Sequence, residues 1–233
     1  MIECPVCRYS NDDLSLKCTS CGSFIQDKVP TLDLFAMIWM VIESPKQAFK
    51  KIVLSEQKNF VLLQSLFFGI SVLFAFMWLA KTGNNYDNLL PLLLHGIFFG
   101  ILAGIPFFIV IALSIHFFVK IFGGKGKWNE TYAVIGWSLM PIVLATVFIL
   151  PLELGTLGLY LFSSNPNGYE YKPAVYVALI GLDALTLVWS IILGTIGISV
   201  AHHFKVLKSL MVTLVPVGTV FYLMFYFYSL FQL

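Results

Sequence analysis

The residues best suited to chemistry lie in the first 21 positions. Cys4-Pro5-Val6-Cys7 and Cys18-Thr19-Ser20-Cys21 form two Cys-x2-Cys pairs separated by ten residues, and they hold all 4 cysteines of the chain. Two such pairs let four thiolates converge on one tetrahedral Zn²⁺, with Zn–S bonds near ~2.3 Å. Metal binding then supplies folding free energy that so short a segment cannot draw from an apolar core. Pro5 inside the first pair and Gly22 after the second suit tight turns. Disulfides and a redox pair are the alternatives. A reducing compartment disfavours the first, and a redox motif leaves the paired arrangement unexplained. Residues 1–30 carry Arg8, Lys17 and Lys28 against Glu3, Asp12, Asp13 and Asp27. That excess of acid is the wrong sign for a phosphate partner. The reading is a zinc ribbon that is structural or docks a cytosolic protein, and that does not bind nucleic acid.

A second group of candidates lies in the apolar part of the chain: His95, His116, Glu153 and Asp183. An acid at the centre of a membrane helix costs about 2.5–3.5 kcal/mol on insertion scales, so such residues are functional candidates by default. His95, Glu153 and Asp183 are all expected in the outer half of a bundle, where they could meet. Two readings stay open. One is a proton or cation site. The other, preferred, is a satisfied pair that holds helices together. A separation of Glu153 and Asp183 above roughly 10 Å would remove the first reading. His116, near the inner interface, reads as wet or backbone-bonded.

The elements that must position these groups follow from composition. The 233 residues are 59% hydrophobic and only 11% charged, against about 25% charged in a soluble domain. A soluble protein, a disordered chain and a nucleic-acid binder are thereby excluded. A bilayer core about 30 Å thick needs roughly 20 apolar residues as helix. Segments 60–80, 89–119, 131–162, 174–201 and 207–231 qualify. The second holds Pro91 and Pro106 and the third Pro141 and Pro151, which predicts tilt or kinks. The fold class is therefore an all-α polytopic membrane bundle of five transmembrane helices with a small N-terminal zinc ribbon. Its domains are the ribbon over 1–30, an interfacial amphipathic segment over 31–59 and the bundle over 60–233. Nothing at the start reads as a signal peptide.

Within 31–59, the apolar run 34–42 is too short to span and reads as interfacial or re-entrant. Ser44-Pro45-Lys46-Gln47 reads as a capping box with proline at the first helical position. The helix that follows sets Ala48, Phe49, Ile52 and Val53 against Lys46, Lys50 and Lys51, the pattern of a surface helix on an anionic leaflet.

The placement of charge gives orientation. With the N-terminus inside, twelve of the 14 Lys and Arg fall on the inner side, and only Lys81 and Lys172 fall outside. The positive-inside rule then puts the N-terminus in the cytoplasm and the C-terminus outside, in what reads as a prokaryotic cell membrane.

Small residues recur every four positions in Gly96-x3-Gly100-x3-Gly104, Ser190-x3-Gly194 and Gly197-x3-Ala201. Such faces let helices approach closely. They serve packing within the bundle, with a homo-oligomer contact as the alternative. The turn Phe122-Gly123-Gly124-Lys125-Gly126-Lys127-Trp128 reads as a headgroup-layer anchor, not a P-loop. Adjacent His202 and His203 cannot face the same way on a helix, so a paired metal site there is not expected. No nucleophile–base grouping appears, so the chain does not read as an enzyme.

Several of these motifs together resemble the Yip family, the Ypt/Rab-interacting five-span membrane proteins. They are Ser44-Pro45 with Phe49, the stretch Phe122-Gly123-Gly124-Lys125-Gly126, Gly136-Trp137-Ser138 with Pro141, and Trp189-Ser190 with Gly194, Gly197 and His202. The resemblance covers about residues 33–230, and the four-cysteine ribbon is similar to one on many prokaryotic members. It implies a non-enzymatic membrane scaffold or adaptor. Eukaryotic members are linked to vesicle traffic and small GTPases, but a long acidic N-terminal tail is lacking here, so GTPase binding is not carried over. The competing function is a small ion- or proton-coupled transporter that uses the intramembrane acids.

Overall fold

A computed structural model describes residues 1–27 and 29–231; Lys28 and the last two positions of the 60–233 segment lie outside the described residues. At the N-terminus, β1 (Ile2–Glu3) pairs antiparallel with β2 (Ser10–Asn11), Ile2 opposite Asn11 and Glu3 opposite Ser10. Helices follow in chain order: α1 (Leu34–Glu43), α2 (Pro45–Leu54), α3 (Val61–Leu79), α4 (Leu89–Ile121), α5 (Trp128–Ser138), α6 (Met140–Leu157), α7 (Gly168–Tyr171), α8 (Pro173–His202) and α9 (Val206–Phe231). Taking α5 and α6 together as Trp128–Phe162, five segments among the described residues are long and apolar enough to cross a membrane.

The third span is broken beside Pro141, while Pro151 is carried inside α6. α5 ends at Ser138 and α6 starts at Met140, with Leu139 between them at φ −80° and ψ 0°. Pro141 has no N–H to donate back to the preceding turn, so the ladder cannot run through it. The Leu139 N–H instead donates to the carbonyls of Ile135 and Gly136, at 3.3 and 3.1 Å. By contrast, α4 runs uninterrupted for 33 residues: Pro91 falls in its first turn, and Pro106 is carried inside it.

The glycine stripe of α4 meets α3. A Cβ on Gly100 would lie 2.7 Å from the Ile70 Cα, and one on Gly104 would lie 2.5 Å from the Ser65 carbonyl oxygen. Gly69 of α3 completes the seam against Gly100 and Gly104. Backbone touches backbone here, which only residues without a side chain permit.

The segment before the bundle differs from expectation in two ways. Ser44 makes no side-chain cap; its carbonyl accepts from the Gln47 and Ala48 N–H groups, so the capping box does not form. The apolar face of α2 is also not offered to lipid. Ala48, Phe49 and Ile52 are fully buried in the main core, which includes Trp137 of α5 and Ile198 of α8. It is α1 that leaves an unpaired apolar stripe, Phe35 and Trp39 being 79% and 67% exposed one turn apart.

A second, smaller core closes the far end. Phe74 and Met77 of α3 pack there with Leu92, Leu157, Phe162 and Leu179. Asn84 ties the short 3₁₀ turn Thr82–Asn85 to Ser164, through its amide donating to the hydroxyl (2.9 Å) and its carbonyl accepting the Ser164 N–H (3.0 Å).

Candidate metal centre and buried polar clusters

The two cysteine pairs are built alike. The Arg8 N–H donates to the Cys4 carbonyl (2.9 Å) and the Cys4 N–H to the Tyr9 carbonyl (3.0 Å). In the second pair, the Gly22 N–H donates to the Cys18 carbonyl (3.0 Å) and the Cys18 N–H to the Ser23 carbonyl (2.8 Å). The residue after each pair takes a left-handed conformation, Arg8 at φ 58° and Gly22 at φ 74°. Both turns curl their sulfurs to a common point. The Cys4–Cys21 and Cys7–Cys18 sulfurs are 3.6 and 3.5 Å apart, too far for disulfides. A tetrahedron of four Zn–S bonds of about 2.3 Å has edges near ~3.8 Å, so the donor set fits one Zn²⁺ with only slight expansion. Cys4 and Cys18 are buried, and Cys7 and Cys21 face out.

The partners around the sulfurs carry no cysteine signal and escape the sequence reading. The Ser23 hydroxyl lies 3.1 Å from Cys4 Sγ and 3.0 Å from Cys21 Sγ. That contact, with backbone N–H groups behind it, brings the Cys4 thiol down to about 6. The buried Asn11 amide donates toward Cys18 Sγ (3.6 Å) and to the Tyr9 carbonyl (2.8 Å), while its oxygen accepts from the Thr19 N–H (2.9 Å). Hydrogen bonds of this kind fix ligands and stabilise thiolate charge.

The ribbon is fastened to the bundle. The Asp13 carboxylate pairs with Lys50 of α2 at 2.8 Å and also with the Met1 α-amino group. The Lys50 contact is the main reason its carboxyl titrates down at about 2. Asp12 reaches His203, in the turn before α9, at 3.4 Å. Val29 bridges to Ser55, and the Glu56 N–H donates to the Val29 carbonyl (2.8 Å). Two of the four acids that argued against a phosphate partner, Asp12 and Asp13, thus hold the ribbon in place.

At this same end lies a cluster that links residues read separately from the sequence. His202 is buried. Its Nδ1 accepts from the Gly126 N–H (3.1 Å), which puts the neutral ring's proton on Nε2, facing Thr131 Oγ1 at 2.8 Å. Thr131 Oγ1 in turn lies 2.8 Å from His116 Nδ1, and the His116 ring meets the Trp128 edge. His116, which is half-buried, thus pairs with a side chain and not with the backbone. Two glycines of the turn sit close against this ring: a Cβ on Gly126 would lie 2.5 Å from the Ala201 carbonyl oxygen and 2.7 Å from His202 Cε1, and one on Gly124 would meet Val119 and lie 3.0 Å from His202 Nδ1. Lys120 caps the turn by donating to the Gly126 carbonyl (2.9 Å). Only the separation of His202 from His203 was legible in the sequence. His203 turns the other way, toward Asp12.

In the other half of the bundle, Glu153 of α6 and Asp183 of α8 come within hydrogen-bonding reach of one another. Both line a cavity of about 430 Å³ between α3, α6 and α8. His95 does not join them. It sits on the exposed side of α4, where Nδ1 pairs with the Tyr86 hydroxyl at 2.8 Å. The expected three-residue group is corrected to a pair. Helical phase explains the difference: Gly96 occupies the buried face of α4, and its neighbour points away from it.

Five apolar spans, a broken third span and a four-thiol knuckle clamped to one end define a polytopic membrane protein with an appended four-cysteine module. The family model for the Yip1 domain matches residues 39–228, and the chain belongs to that family. No curated protein and no solved structure matches it significantly.

Proposed function

We propose that this chain is a non-enzymatic integral membrane scaffold whose four cysteines hold one structural Zn²⁺ and whose ribbon docks a protein partner at the cytoplasmic face. The observation that supports it is the clamped ribbon. Asp13–Lys50 and Asp12–His203 fix it at two separate points on the bundle. Held this way, it turns Val6 and Phe24 outward at 71% and 67% exposure. A tethered knuckle would need no such clamps; a docking platform gains from a fixed pose, because less freedom is lost on binding. The side assignment rests on the lysines. Lys46, Lys51, Lys120, Lys125 and Lys127 gather at the ribbon end, while Lys81 and Lys172 stand at the other.

The test replaces Val6 and Phe24 by Ser without touching a thiol. Wild type and variant are isolated from membranes, zinc content is matched, and co-purifying proteins are compared. Loss of a specific protein from the variant is expected. Identical sets at equal zinc content would count against docking through the ribbon.

A further inference from the structure

The cavity beside Glu153 is independent of the scaffold reading. Glu153 is only 4% exposed, yet it lines that cavity, and its Oε1 has no hydrogen-bond partner among the described residues. An orphaned carboxyl oxygen inside a bundle is costly. Its carboxyl also faces Asp183. A hydrogen bond between two carboxyl groups needs at least one proton between them; with one proton, the pair carries a single negative charge. Among the described residues, no Lys, Arg or His lines the cavity, so none of their side chains supplies the balancing cation.

The remaining wall indicates what would balance it. Phe68, Phe74, Trp78, Phe162 and Phe221 line the same cavity as the carboxyl pair. The hydroxyls nearby have other partners: Ser71 and Thr146 bond to each other, and Thr186 donates to the Asp183 carbonyl (2.9 Å). A metal ion such as Ca²⁺ takes about 6–8 oxygen ligands, more than this wall offers. Aromatic faces and a shared carboxyl charge suit an organic ammonium. The volume is in the range of small-ligand sites, roughly 300–1,000 Å³.

A tail has somewhere to go. Ala145 and Thr186 also line a second cavity of about 320 Å³, which continues toward α1 past Leu144, Phe148 and Trp189. Trp189 is six residues beyond Asp183, about 9 Å along the helix at ~1.5 Å per residue.

We infer that the Glu153–Asp183 cavity binds a monocationic amphiphile, its ammonium head on the carboxyl pair and its alkyl chain in the adjoining groove between α6 and α8. A lipid carrying a phosphate beside its ammonium is disfavoured, since the wall has no base to meet the phosphate.

The experiment uses the full chain in nanodiscs of phosphatidylglycerol, which bear no ammonium. Binding of labelled dodecylammonium is measured, with dodecanol as the competitor of equal tail. Dodecylammonium should bind at least about 10-fold more tightly than dodecanol, the equivalent of ~1.4 kcal/mol. Glu153→Gln and Asp183→Asn should each remove that preference while leaving dodecanol binding unchanged. Binding to protein-free nanodiscs of the same lipid is subtracted, because anionic phosphatidylglycerol itself attracts the cation; the wild-type head-group comparison then stands even if a variant fails to fold. Equal affinity for the two heads overturns the inference, as does a head-group preference that survives both substitutions. Adding phosphatidylethanolamine separates the sources: no competition supports a free amphiphile, and competition equal to that of dodecylammonium overturns the requirement for net positive charge.

Discussion

Replacing Gly69 by Ala tests the seam on which the bundle is built. A methyl group at that position overlaps the Gly100 carbonyl oxygen and the Gly104 Cα, and it lies 2.7 Å from the Gly104 nitrogen. All three are backbone atoms of α4, so no rotamer change relieves the overlap. A comfortable carbon contact is about 3.5–4.0 Å, so α3 and α4 must part by roughly 1 Å. Overpacking of this kind costs about 1–3 kcal/mol. Gly181 is the internal control. It too is helical, in α8, but nothing lies within 4 Å of its added Cβ. There the substitution gains the helix preference of Ala, about 0.5–1 kcal/mol. Gly194 lies between them, since its Cβ would sit 3.4 Å from Thr213 Cγ2, an ordinary contact. With about 2–4 °C per kcal/mol for a chain of this size, Gly69→Ala should lower Tm by roughly 2–12 °C. Gly194→Ala should be near neutral, and Gly181→Ala neutral or slightly stabilising. Thermal unfolding in maltoside micelles, followed by circular dichroism, reads all three. If Gly69→Ala and Gly181→Ala melt together, the close backbone seam is not what orders these helices.

Three further outcomes are expected. Arg8→Gly should relieve a left-handed position that costs a side chain about 1 kcal/mol, and so tighten apparent zinc affinity about 5-fold in competition with a chromophoric chelator. Asp13→Asn should loosen the ribbon, seen as faster proteolysis between the ribbon and α1 at neutral pH. Asp13 titrates at about 2, below its unfolded value near ~3.9, so its contribution is present above pH ~4 and fades as pH falls toward about 2. Because the pair is partly exposed, that contribution is at most about 1 kcal/mol, and Lys50→Met should be no worse than the Asp13 change, with little added by combining them. Gly126→Ala places a Cβ 2.7 Å from His202 Cε1; it should lower Tm about as much as His202→Ala, and the double variant should lose little more, because both break one unit.

Much of this molecule was legible in particular residues. The two Cys-x2-Cys pairs announced a four-thiol centre because the spacing leaves the sulfurs few other ways to converge. The apolar runs announced five spans because a bilayer requires about 20 such residues in a row. Other features had no local signal. The break at Leu139 was visible only as a proline, since whether Pro141 bends or interrupts a helix depends on what surrounds the freed carbonyls. Gly69 is a lone glycine in its span, and its role appears only opposite Gly100 and Gly104. The pattern of α2 was read correctly as amphipathic, but periodicity cannot say whether an apolar face meets lipid or protein.

What the sequence determined by itself was therefore class and inventory: a five-span membrane chain, a thiol set that fits zinc, and a short list of ionisable residues within the spans. Those conclusions rest on the solvent requirements of each residue type, which act position by position. Which of those residues meet was decided by tertiary structure alone. It joined His202 to Thr131 and His116, set Glu153 against Asp183, and left His95 on the outside with Tyr86. The physical reason is that a contact between distant segments depends on the rotation of each helix about its axis. That rotation is fixed by the packing of whole faces, such as the glycine seam of α3 and α4, and not by any single residue's preference.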